Sequence, residues 1–262
     1  MSTQASDVIV KIDDRIRLLS AALAATNFPE KAQQKKRHQP HAHARATAKY
    51  MVDHGYNAHP AVKSLQEMLD KDVPLEALYT LVMLCDWPQL KIAALPPWVP
   101  KNWNKQLRDF YEKAKLAEYW SNDNNAWEHA ETQSKRVFAK VRFQEFLSPF
   151  VGNFAEELLF MPNLCYPADE EIGIRVGKQL IAITPPPLAW GDSPPWPFDE
   201  ETMFQHSYRA TLTEFGRLLL LAYLRQHPKE VEEASQKELP VSDQFKELHP
   251  TWEDQFISLF IA

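Results

Sequence analysis

Thr213-Glu214-Phe215-Gly216-Arg217-Leu218-Leu219-Leu220-Leu221 is the stretch around which the chain organises itself. The leucine run reads as core, and Phe204, Tyr208, Leu212, Phe215, Leu219 and Tyr223 continue one long apolar face on either side of it. The spacing predicts a helix over 199–226, capped by Asp199, with Glu200 and Glu201 favoured in its first turn by the helix dipole. Such a helix would be roughly 42 Å long and would pass through the middle of a domain. Glu214 and Arg217 stand three residues apart, close enough for an ion pair.

Immediately upstream the period changes. Ile172, Ile174 and Val176 alternate, Gly177-Lys178 makes a turn, and Leu180 to Ile183 forms a second strand, the only clear hairpin in the sequence. Between hairpin and helix, Pro185-Pro186-Pro187 and Pro194-Pro195-Trp196-Pro197 exclude helix and indicate a stiff loop carrying Trp190 and Trp196.

The first half reads as helical. Val8, Ile12, Ile16, Leu19 and Leu23 recur every three or four residues, and further helices are expected near 42–56, 61–70, 75–85, 104–120 and 126–146, punctuated by prolines. The segment 28–43, with Lys31, Lys35, Lys36, Arg37, His38, His41 and His43, breaks this pattern and reads as a solvated connector. The expected fold class is therefore α+β and predominantly helical, with a small sheet or hairpin and a long central helix. Residues 1–50 are expected as an N-terminal helical region with a basic, His-containing linker, and 51–262 as the main domain.

The totals set outer bounds. With 262 residues and 45% apolar content the chain can bury a sizeable core. A net charge of -6 and a pI near 5.9 argue against nucleic-acid or anionic-membrane partners, which need a concentrated positive field. Cys85 and Cys165 cannot build a disulfide framework, no signal-like or membrane-spanning run is visible, and a reducing cytoplasm fits best. Six glycines and no phosphate-loop motif leave nucleotide chemistry without support, and no cofactor is expected. Ser148, Ser193, Ser207 and Ser258 sit in no nucleophile motif. The His38, His41, His43 cluster has no Cys or acidic ligand beside it and reads as polar linker rather than metal site.

The 213–221 stretch resembles the zinc-binding helix of gluzincin-type metallopeptidases, whose H-E-x-x-H motif puts two metal-ligating His one turn apart with a general-base Glu between them. The common variant continues Phe-Gly and Leu-Leu, as here. His59-Pro60-Ala61-Val62, the stretch from Leu107 to Trp120, and Trp252-Glu253-Asp254-Gln255-Phe256 further resemble a bacterial group of gluzincin-like peptidases, a likeness running from about Val52 to the C-terminus. The resemblance implies a zincin-like architecture in which Thr213 and Arg217 take the two ligand positions, Glu214 the general-base position and Ser258 that of the third ligand, with Glu247 or Glu253 as alternatives in another register. Thr is a poor zinc ligand, and an Arg guanidinium does not lose its proton to donate a lone pair. The resemblance thus implies a peptidase homologue that has discarded its metal, leaving Glu214 as a vestige. It also assigns the strand carrying Leu180, Ile181 and Ile183 to the cleft edge, with a peptide or protein as partner; His206, two turns before Thr213 on the same helix face, is expected at the cleft mouth, and Trp190 of the proline-rich loop as a cleft-lining recognition residue. An active hydrolase with a metal site in another register, or a helical scaffold, remain open alternatives.

Overall fold

A computed structural model of the chain describes residues 6–189 and 193–261. The fold is predominantly helical around one four-stranded sheet. The strands are β1 (Val8–Val10), β2 (Glu157–Pro162), β3 (Ile172–Val176) and β4 (Gln179–Thr184), in the order β1-β2-β4-β3. β1, β2 and β4 run parallel, and β3 runs antiparallel to β4 as one outer strand. The β3–β4 hairpin falls where alternation placed it. Its two-residue turn places Gly177 first, at φ 57°, a conformation that costs glycine nothing.

β2 has no counterpart in the sequence reading. Leu158 to Met161 are all buried, because helices cover both faces of the parallel part of the sheet, and such strands read as unbroken apolar runs instead of alternating ones. β1 also departs from expectation. Val8 to Val10 pair with β2, and the first helix begins only at α1 (Asp14–Ala24), where the Asp13 carboxylate accepts the Arg15 N–H as its cap.

Around the sheet lie α2 (Phe28–Lys35), α3 (Ala42–Asp53), α4 (Pro60–Leu69), α5 (Leu75–Leu84), α6 (Trp103–Lys113), α7 (Leu116–Asn122), α8 (Asn124–Phe138) and α9 (Phe143–Val151). After the hairpin come α10 (Phe204–Gln226), α11 (Pro228–Ser235), α12 (Asp243–Leu248) and α13 (Trp252–Ile261). α5 packs on β3, and α8 and α10 pack on the sheet through Phe138 against Phe160 and through Phe215. α1 is buried against α3, α4 and α5. One core cluster runs from Val8 to Leu219, so the stretch from Val8 to residue 50 shares the core of the main domain, and β1 extends its sheet. The 28–43 segment is no solvated connector either: it holds α2, and His38 and His43 are buried.

α10 spans 23 residues, about 35 Å, shorter than expected because its first turn is replaced by a short 3-10 turn at Glu201–Met203. Met203 takes the cap position, and Asp199 instead pairs with Arg136 at 2.9 Å. Of the expected apolar face, Phe215 and Leu219 are buried, whereas Tyr223 is 46% exposed where the helix outruns the sheet. Among the described residues no helix is long and apolar enough to cross a membrane.

Candidate functional site

The geometry of interest lies at the free edge of β3. A two-residue hairpin makes Val176 and Gln179 a hydrogen-bonded pair, so Ile172, Ile174 and Val176 turn their backbone groups toward β4. Gly173 and Arg175 turn theirs outward. The Gly173 carbonyl accepts Nη2 of Arg217 at 2.9 Å, while Nη2 and Nε of the same guanidinium donate to Glu214 Oε2 at 2.8 and 3.1 Å. The outward N–H of Gly173 and both outward groups of Arg175 have no partner outside the sheet among the described residues.

Gly173 is the position that lets helix and strand close. A Cβ there would stand 2.8 Å from Glu214 Cβ and 2.9 Å from its Cδ, so only glycine leaves room for the Glu214 side chain. Glu214 itself is 9% exposed. Burial pushes its carboxyl above the usual range; the Arg217 cation opposes this, and the carboxylates of Glu76 and Glu171 add to it. Beside this cluster Arg175 pairs with Glu156 and reaches the Leu218 carbonyl at 3.4 Å, tying β3 to α10.

A groove of about 340 Å³ runs along this edge. Glu76, Thr80 and Leu84 of α5 form one wall, Arg217 and Leu221 of α10 the other, and Trp98 also lines it. Leu84 and Trp98 are 54% and 40% exposed. Nothing in the sequence marked α5 as a wall, although a glycine within an alternating strand was a signal of close backbone approach.

Of the positions named from sequence, only Glu214 and Arg217 meet. Thr213 faces another groove, between α9, α10 and α13, beside Phe146, Phe150 and Phe260. Ser258 hydrogen-bonds to His249 Nδ1 at 3.1 Å, because α13 turns Ile257 and Ile261 toward α10 against Leu220, Leu224 and Gly216. Glu247 is exposed, and Glu253 lines a separate pocket with Leu224 and Val231. Leu180, Ile181 and Ile183 are at most 1% exposed and lie on β4, which β2 and β3 flank, so they line no cleft and the edge belongs to β3. His206 stands 3.7 Å from Glu171, at the strand's N-terminal end. Trp190 lies outside the described residues.

This donor set does not fit zinc. Thr213, Arg217 and Ser258 do not converge, and the Glu214 carboxylate already has a cation. Among the described residues no group of three His, Cys, Asp or Glu is placed to hold a metal ion.

The histidine cluster resolves into separate structural roles. His41 Nδ1 caps α3 by accepting the His43 N–H, and His38 Nδ1 lies 2.8 Å from the Lys36 carbonyl oxygen. His43 Nε2 accepts Trp127 Nε1–H at 3.2 Å, which fixes the tautomer with the proton on Nδ1, donated to Asp123. Thr47 stands 3.3 Å from the same Nε2, the outline of a nucleophile, base and acid, but its hydroxyl is buried and the indole occupies the base. Burial also lowers the His43 pKa, against the pull of Asp123. Sequence reasoning missed this knot because its partners lie about 80 residues away.

Both thiols are inert. Burial pushes Cys85 up to about 11 and Cys165 up to about 12. Native protein at about pH 7.5 is expected to resist iodoacetamide at both positions and to be alkylated at both once unfolded, as mass spectrometry would read. Rapid native labelling of either would contradict the packing described.

No family model, no curated protein and no solved structure matches this chain.

Proposed function

We propose that this chain is a catalytically inactive homologue of gluzincin-type metallopeptidases, zincin-like in architecture, that binds an extended peptide or protein segment along β3. The observation that carries this reading is the Arg217 guanidinium, bridging Glu214 and the outward Gly173 carbonyl. A general base must reach water or substrate with a free carboxylate, and here that carboxylate is committed to a neighbouring cation. Strand addition is supported by the outward groups of Gly173 and Arg175 lying at the floor of a groove with helical walls on both sides.

Two measurements test it. After incubation with zinc and desalting, the full chain is expected to retain no stoichiometric metal and to keep its melting temperature; one equivalent of zinc with a raised Tm would overturn the inactive reading. Displayed random decapeptides are expected to yield binders that lose at least about tenfold affinity, roughly 1.4 kcal/mol, when Thr80→Arg fills the groove. Binders indifferent to that substitution, or none at all, would leave a helical scaffold.

A further inference from the structure

We infer that the segment this groove accepts carries a basic side chain and, four positions away, a large apolar one; the inference rests on the strand-addition reading above. The two ends of the groove differ in chemistry. Glu76, in the first turn of α5, has no ion-pair partner among the described residues, and its charge is felt by both Glu214 and Glu170. It lies toward the end of β3 where Glu171 enters the strand, since the adjoining Leu75 shares a pocket wall with Asp169 and Glu170. Glu171 stands 3.7 Å from His206 and does not line the groove. The Arg217 cation is taken by Glu214. Lys35 and Lys36 act on Glu170 and His206 and do not line the groove. This end presents one carboxylate, Glu76, without an ion-pair partner, beside a strand edge whose Gly173 N–H awaits an acceptor.

The opposite end is apolar. Leu84, in the last turn of α5, and Leu221, one turn beyond Arg217 on α10, line the groove together with Trp98, and Leu84 and Trp98 are well exposed. From Glu76 to Leu84 the helix rises about 12 Å. An added strand covers that distance in about four residues at roughly 3.3 Å each.

Parity agrees with that spacing. Residues of an added strand opposite Ile172, Ile174 and Val176 share the face of those side chains, which is the α5 side of the sheet. Positions an even number apart on the partner therefore both meet α5, one at Glu76 and the other at Leu84 and Trp98. A Lys or Arg at the first pairs with Glu76, and a Leu, Phe or Trp at the second covers the exposed apolar surface.

The test uses the full chain and displayed random decapeptides, followed by binding of the consensus peptide and of the same peptide with Glu in place of its basic residue. Enrichment of Lys or Arg four positions from a large apolar residue is expected, with at least about tenfold weaker binding of the Glu peptide. Glu76→Arg, a partly exposed position, should reverse that preference, a result that a general loss of structure could not produce. Binders without a basic residue, or an unchanged preference in Glu76→Arg, would overturn this inference while leaving strand addition standing. An absence of binders, or binders insensitive to Thr80→Arg, would overturn both.

Discussion

Gly173→Ala is expected to destabilise the fold by about 2 to 3 kcal/mol, the upper range for forcing a methyl into a packed interior. The added Cβ would meet not only the flexible end of Glu214 but its Cβ at 2.8 Å, which α10 cannot withdraw without moving. β3 has no room to yield, being hydrogen-bonded to β4 on one side and packed under α5. Chemical denaturation measures the loss directly. Because the conflict is with one side chain, Glu214→Gly, which removes that Cβ, in the same molecule should restore a large part of it, giving a coupling energy above about 1 kcal/mol in the double-mutant cycle. Additive effects would show that Gly173 is required for some other reason.

Arg217→Ala leaves Glu214 buried without its cation. Removing one partner of a fully buried pair costs about 3 to 5 kcal/mol, but Arg217 keeps 30% of its side chain exposed, so about 2 to 3 kcal/mol is expected near neutral pH. The pH dependence has a definite sign. A carboxyl whose folded pKa lies above its unfolded value binds protons more tightly in the folded state, so stability falls as pH rises from the unfolded toward the folded pKa. Without Arg217 the folded value moves further up and the window widens. The variant's deficit should therefore be smaller at about pH 5 than at about pH 7.5, and adding Glu214→Gln should flatten the difference. An equal deficit at both pH values would mean that Glu214 is not the group left exposed to burial.

The hairpin and the long helix were legible because each carries its own period and its own punctuation. Ile172, Ile174 and Val176 alternate up to Gly177, and the residues around Glu214 recur at helical spacing. What sequence could not supply was order across the sheet. Which strand of a hairpin faces outward depends on where β2 pairs, and β2 is a parallel strand whose apolar run from Leu158 to Met161 has no alternation to announce it. The edge consequently passed from Leu180–Ile183 to β3. The Glu214–Arg217 contact was readable from a three-residue spacing, whereas its third member, Gly173, comes from 44 residues away. Ser258 illustrates the opposite case: a position assigned by resemblance is turned aside by the packing of Ile257 and Ile261 on α10. Buried histidines were misread for a related reason, since Asp123 and Trp127 make His43 a core residue and neither is local to it.

Amide hydrogen exchange on the edge strand tests the central claim most directly. With a selected decapeptide bound, the Gly173 and Arg175 N–H groups, which face the groove, are expected to slow by at least about tenfold, while Ile174, already paired with Ile181, changes little. Protection confined to the α9, α10 and α13 groove around Phe150 and Phe260, with the Gly173 and Arg175 amides unchanged, would contradict it.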